Sequence, residues 1–161
     1  GLDGLAFLSG IPGSVGGALR MNAGCYGTEI RDVFVSARAL TRRGEMVELD
    51  GAAMGFGYRR CTAPENLIFL SATLHGTPGD AARIAAHMRR IREERAASQP
   101  VRGRTGGSTF ANPAGHKAWQ LIDAAGCRGL ALDGAEISQK HCNFLLNTGD
   151  ATASSLEALG E

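Results

Sequence analysis

Apolar and polar positions alternate from Val33 to Leu40, break at Thr41-Arg-Arg-Gly-Glu45, and alternate again from Met46 to Leu49. A period of two puts one set of side chains on one face of a pleated strand, so the pattern predicts a β-hairpin. Leu67 to Leu74 is a second β-rich run expected in the same sheet, which leaves Phe56 to Asn66 as a loop at its end. From Thr77 the period becomes helical. Thr77-Pro-Gly-Asp80 has the form of an N-cap followed by proline and an acid in the first turn, and Ile84, Met88 and Ile91 follow at helical spacing. This predicts a helix of about five turns reaching Ala97. Ala118, Leu121, Ile122 and Ala125 predict a short amphipathic helix that Gly126 can close. Phe144 to Asn147 reads as a last strand, and Thr148 to Leu159 turns into another helix. Between the halves, Ser98-Gln-Pro-Val-Arg-Gly-Arg-Thr-Gly-Gly107 is polar and rich in turn residues, so the junction is placed there, with domains over 1–98 and 99–161. The expected fold class is α+β.

Composition narrows the function classes. Hydrophobic residues make up 43% and charged residues 20% of the 161, the balance of a globular chain rather than a disordered one. A net charge of +1 gives no bulk attraction to nucleic acid or to a membrane surface. The long helix does carry Arg83, Arg89, Arg90, Arg92 and Arg95, but Glu93 and Glu94 interrupt the charge and no aromatic residues interleave, as expected of a solvated face. Neither an apolar run of 18 residues nor a basic segment ahead of an apolar one occurs, so a cytoplasmic protein without a membrane partner is expected. Cys25, Cys61, Cys127 and Cys142 lie far apart without a Cys-x-x-Cys pair, which predicts reduced thiols and no zinc site. The chain opens on Gly1 and stops at Glu161 just after a helical pattern has begun, and is expected to be part of a longer protein.

Gly10-Ile-Pro-Gly-Ser-Val-Gly-Gly-Ala-Leu-Arg-Met-Asn-Ala-Gly-Cys-Tyr-Gly27 holds many glycines and almost no charge. Without Cβ atoms, successive N–H groups can close around a phosphate; the same composition also serves as a plain connection between elements. It is neither a Walker loop nor a Gly-x-Gly-x-x-Gly fingerprint. By themselves Ser108 reads as a turn serine and Arg59 as a surface arginine.

Taken in order, the glycine loop, Phe56-Gly-Tyr-Arg-Arg60 and Gly107-Ser-Thr-Phe-Ala-Asn-Pro113 resemble the FAD-dependent UDP-N-acetylenolpyruvoylglucosamine reductases, often called MurB. The resemblance extends to Leu121-Ile-Asp-Ala-Ala-Gly126 and to Ser138-Gln-Lys-His-Cys-Asn-Phe-Leu-Leu-Asn147, and so covers nearly the whole chain. It implies the later part of an FAD-binding α+β domain joined to a small α/β substrate-binding domain. It also implies a cytoplasmic, monomeric enzyme of peptidoglycan synthesis, and with it a role in cell-wall biogenesis, cell shape and division.

The resemblance assigns FAD contacts to Ile11, Pro12, Gly13, Ser14, Gly16, Gly17, Asn22 and Ala23, and substrate contacts to Tyr58 and Asn112. Ser108 falls on the family's catalytic serine, and Arg59 on the arginine that meets the substrate carboxylate. The reaction implied takes hydride from NADPH, through FAD, to the enolpyruvyl group of a nucleotide sugar. An arginine can stabilise the developing enolate, and a positioned hydroxyl can deliver the proton. Two departures stand out: Cys61 where similar proteins often carry serine, and Ser98 where a lysine or arginine is common. The family's catalytic glutamate is expected beyond Glu161. The rival readings are another FAD oxidoreductase acting on an alcohol or lactone, and a nucleotide-sugar binding module without catalysis.

Overall fold

The predicted hairpin is the centre of the first half of the chain. In the computed structural model, which describes Gly1–Glu161, Phe34–Leu40 (β4) and Met46–Leu49 (β5) pair antiparallel with Leu40 opposite Met46. Ile68–Leu74 (β6) lines the other side of β4, giving the order β5-β4-β6. Ala37 and Ala39 of the central strand are buried with Leu19, Ile30, Leu49, Met54 and Ala63, and this cluster is the core of a compact unit over Gly1–Arg92.

Ahead of the sheet come Leu2–Asp3 (β1), the helix Val15–Arg20 (α1), the short strands Gly24–Cys25 (β2) and Thr28–Glu29 (β3), and Ile30–Val33 (α2). Helix α1 runs through Gly16 and Gly17, poor helix formers. It persists because the Ser14 hydroxyl accepts from Gly17 N at 3.1 Å and because Leu19 is buried in the core. Strands β2 and β3 are joined by Tyr26-Gly27, with φ of 54° and 80°, the two left-handed residues of a tight hairpin turn. Gly51–Met54 (α3) follows β5.

The start of the long helix moves. Thr77 does not cap the long helix: Thr77–Pro78 (β7) pairs antiparallel with Leu2–Asp3. Proline is tolerated in such an edge strand, where its missing N–H leaves no ladder bond unmade. Helix α4 is Ala81–Ser98, and Asp80 is its cap, with Oδ1 accepting from Arg83 N at 2.7 Å. Ile91 is buried while Arg83, Arg89, Arg90 and Arg92 are exposed.

A second compact unit covers Glu93–Glu161, the division falling inside α4. It contains the helices Ala118–Ala124 (α5) and Ala153–Gly160 (α6) and the strands Ala131–Leu132 (β8), Ala135–Ile137 (β9) and Leu145–Asn147 (β10). The strands form one antiparallel sheet in the order β10-β9-β8. Ala135, Ile137, Cys142 and Leu159 form the core of this unit. Asp133-Gly134, with φ of 44° and 80°, makes the β8–β9 turn. Helix α6 begins at Ala153, five residues after Thr148, because Thr152 is its cap: the Thr152 hydroxyl accepts from Ser155 N at 3.0 Å. The mixture of helices with small antiparallel sheets is α+β, as expected.

Candidate functional site

In the first unit the glycine loop borders a cavity of about 400 Å³. Ile11, Pro12, Gly13, Ser14, Gly17 and Ala23 all line it, with Leu8, Ile30 and Leu74 supplying apolar walls and no charged side chain. Gly13 is at φ 115°, with nothing within 4 Å of where a Cβ would stand. A pocket of exposed main chain and apolar walls suits a flat, weakly charged ring system with a polar tail, so these residues fit a flavin nucleotide.

Gly16 and Asn22 do not line this cavity. Gly16 packs on the sheet, where a Cβ would stand 3.6 Å from Cβ of Phe69. Asn22 is fully buried at φ 42°, and its amide is committed internally. Nδ2 donates to Glu29 Oε2 (2.9 Å) and to Gly57 O (3.1 Å), and Oδ1 accepts from Arg31 N (3.0 Å). Its place is in the scaffold behind Arg59.

Arg59 sits at the tip of a tight turn in which Gly57 and Arg60 exchange backbone hydrogen bonds. Its φ of 55° is a strained value for a side chain of this size. The guanidinium lies 5.0 Å over the ring of Tyr58, itself 49% exposed, and Nη2 donates to Gly24 O at 3.0 Å. Nη1 is buried and makes no hydrogen bond; the nearest anion is Glu29 Oε1, 3.9 Å away. Glu29 is held in turn by Asn22 and by Arg31 Nε at 2.9 Å. Gly24 is required here: a Cβ on it would stand 2.6 Å from Glu29 Cγ. Sequence reasoning missed Glu29, which the resemblance does not single out.

In the second unit Gly107, at φ 100°, turns the chain so that Ser108 is exposed and bridged to Phe144. Ser108 Oγ accepts from Asn143 Nδ2 at 2.8 Å. Asn143 was not anticipated, although it lies inside the 138–147 stretch. Asn112 is exposed on the same loop, and its Oδ1 accepts from Ala118 N at 3.0 Å, so it holds the start of α5. His141 Nδ1 accepts from Asn143 N at 3.3 Å, and burial holds its imidazole below the usual pKa. His141 and Cys142 lie in a turn; Cys142 is in the core, where burial pushes its thiol up.

The two departures have plain structural settings. Cys61 Sγ lies 3.5 Å from Arg20 Nη1, whose guanidinium donates to Ala63 O and Pro64 O. Ser98 spends its hydroxyl on Glu94 O, one turn back in α4.

Known families match both units. Residues 1–50 match the FAD binding domain model, and residues 99–161 match that of the C-terminal domain of UDP-N-acetylenolpyruvoylglucosamine reductase. The chain is 63% identical over its full length to the UDP-N-acetylenolpyruvoylglucosamine reductase of Paramagnetospirillum magneticum and 60% identical to that of Parvibaculum lavamentivorans. It covers 52% of each, so it spans about half the length of these relatives. The crystal structure of the Thermus caldophilus reductase (MurB) superposes with a TM-score of 0.89 at 33% identity, over 99% of this chain and 59% of that one. Residues 99–161 thus belong to the C-terminal domain family of UDP-N-acetylenolpyruvoylglucosamine reductase, and the whole chain is similar in sequence and fold to about half of such a reductase.

Proposed function

We propose that the protein reduces the enolpyruvyl group of UDP-N-acetylglucosamine enolpyruvate to the lactyl ether of UDP-N-acetylmuramate, with NADPH as hydride donor, in the cytoplasm and as a monomer. The reading places it in peptidoglycan synthesis, and so in cell-wall biogenesis, cell shape and division. The domain junction is placed at 98/99, with cofactor residues before it and substrate residues after it, except for Tyr58 and Arg59. Ile11, Pro12, Gly13, Ser14, Gly17 and Ala23 would hold the FAD, which when bound supplies hydride to the enolpyruvyl β-carbon.

The observation that carries the reading is the Arg59 guanidinium, whose buried Nη1 makes no hydrogen bond and has only the loose ion pair with Glu29 Oε1 at 3.9 Å. A buried donor without a hydrogen-bond acceptor costs about 1–3 kcal/mol, and a ligand carboxylate that reaches it reduces that cost. Two N–H groups of one guanidinium can meet both oxygens of a carboxylate, and stabilise it further as enolate charge develops there. Tyr58 supports the guanidinium from one face. Ser108, exposed and backed by a hydrogen-bond donor, then supplies the proton to the α-carbon. Asn112 shapes the loop that presents Ser108.

The test is to express the complete reading frame, record flavin absorbance in the purified protein, and follow NADPH oxidation with and without the enolpyruvyl nucleotide sugar. Substrate-dependent oxidation is expected. Bound flavin with oxidation only toward alcohols or lactones would replace the reading with a different oxidoreductase, and absence of flavin with retained nucleotide-sugar binding would leave a binding module.

A further inference from the structure

A buried amide stands directly behind Ser108. Asn143 is 3% exposed, and both ends of its side chain are fixed by one residue: Oδ1 accepts from Phe110 N at 2.9 Å while Nδ2 donates to Phe110 O at 2.8 Å. Exchanging the amide's oxygen and nitrogen would set carbonyl against carbonyl and N–H against N–H, so Phe110 determines which end is which. The backbone of Asn143 is held as well, its carbonyl accepting from Thr109 N at 2.8 Å and its N–H donating to His141 Nδ1. The remaining hydrogen of Nδ2 points at Ser108 Oγ, 2.8 Å away.

An amide nitrogen has hydrogens to give and no lone pair to accept with. The Ser108 hydroxyl therefore cannot turn its own hydrogen toward Asn143 and must direct it elsewhere, and Ser108 is exposed. We propose that Asn143 is a positioning residue for proton delivery: it receives on Oγ the hydrogen bond that leaves the serine proton facing the substrate, and it stabilises the oxygen once that proton has gone. In the step, the Ser108 O–H bond breaks and its electron pair stays on Oγ. The enolate's C=C pair forms the new C–H bond at the α-carbon, and the carboxylate is restored. The resulting alkoxide keeps the Nδ2–H bond, now charge-assisted and stronger, until water reprotonates it at the exposed surface. The inference rests on the reading of Ser108 as proton donor.

Two substitutions separate this role from mere support. Asn143→Ala removes the donor. Asn143→Asp keeps the shape and the Phe110 N contact, but offers Ser108 an acceptor, which draws the serine proton inward. In the complete protein, flavin reduced with NADPH is mixed with the enolpyruvyl substrate in a stopped-flow instrument and its reoxidation recorded. Reduction by NADPH should be unchanged in every variant. Reoxidation should slow by about 10- to 100-fold in Asn143→Ala and by more in Asn143→Asp, within the range that general acid catalysis contributes. Adding Asn143→Ala to Ser108→Ala should slow reoxidation no further, although the loss of the Phe110 clamp lowers the melting temperature in both backgrounds. Without substrate, the side-chain amide resonances of Asn143 in ¹⁵N-labelled protein should shift on Ser108→Ala. Asn143→Asp reoxidising at the wild-type rate, losses that multiply in the double variant, or unmoved amide resonances would each overturn the inference while leaving the reductase reading intact. Wild-type protein that the substrate fails to reoxidise would overturn both.

Discussion

Replacing Asn22 tests the scaffold behind Arg59 most directly. The residue is fully buried, makes three side-chain hydrogen bonds and holds φ at 42°. Asn22→Ala strands the N–H of Arg31, at about 1 kcal/mol or somewhat more, while Gly57 O loses one of its two donors and keeps Arg60 N at 3.3 Å. Glu29 Oε2 loses less, because Arg31 Nε remains 2.9 Å from it. Alanine also accepts the left-handed backbone less readily than asparagine, which adds about 1 kcal/mol. The sum is about 2–3 kcal/mol. Guanidinium chloride unfolding followed by far-UV circular dichroism should show it as a shift in midpoint at constant slope. Asn22→Gly separates the contributions, since glycine adopts this φ freely: it should recover about 1 kcal/mol of the loss and no more. An Asn22→Ala variant within about 1 kcal/mol of wild type, or full recovery in Asn22→Gly, would refute the assignment of stability to the amide.

Three further outcomes follow from the same geometry. Gly24→Ala should force β2 and β3 apart, since the new Cβ would stand 2.6 Å from Glu29 Cγ and 2.8 Å from Thr28 O, and so displace the Gly24 carbonyl that holds Arg59 Nη2; steady-state kinetics should show KM for the enolpyruvyl substrate rising by about tenfold while flavin reduction is unaffected. Arg59→Lys loses the planar fork that reaches Gly24 O and the ligand together, and kcat/KM should fall by about 100-fold; a fall of less than about threefold would show that a point charge suffices. Burial holds the His141 pKa below its ordinary value of 6.5, so the unfolded chain takes up a proton that the folded state resists. The stability this group contributes is therefore complete above about pH 6.5 and declines as pH falls through the folded pKa. His141→Gln should flatten the fall in melting temperature between about pH 7 and 5, and parallel profiles for the two proteins would exclude His141 as the titrating group.

How far the chain could be read depended on whether the decisive partner lay nearby. The β4–β5 hairpin was legible because each strand alternates for several residues around a polar turn. The β8–β9 hairpin carries the Asp133-Gly134 turn signal, but its strands of two and three residues are too short to display a period. Helix α1 was hidden by Gly16 and Gly17, and its cap and buried Leu19 outweigh their poor propensity. Thr77-Pro78 matched a helix start in every local respect and became a strand because Leu2–Asp3, at the other end of the unit, pairs with it. Arg59 and Ser108 by themselves read as ordinary surface residues and were singled out only by the family resemblance. Asn143 was not singled out at all, and Asn22 was expected as a cofactor contact rather than a scaffold amide, since each acts on a residue 35 positions away and a buried asparagine leaves no periodic trace.

The two units reach the same solution to one physical problem. In the proposed reading Arg59 and Ser108 present polar hydrogens to a ligand, yet a long charged side chain and a freely rotating hydroxyl both lose entropy when fixed. In each unit a nearly water-free asparagine meets that requirement, because an amide has donor and acceptor ends that neighbouring backbone groups can fix. Asn22 binds Gly57 O and Arg31 N and so locks the Glu29 carboxylate that faces Arg59; Asn143 binds both backbone groups of Phe110 and so aims its free hydrogen at Ser108. Substitution of either asparagine should therefore lower stability and function together, whereas substitution of Arg59 or Ser108 should lower function with little loss of stability. Arg59→Gly should leave the unfolding midpoint nearly unchanged, since the strain relieved at φ 55° offsets the hydrogen bond lost to Gly24 O. A strained residue kept where glycine would adopt the backbone without strain marks a position held for its side chain.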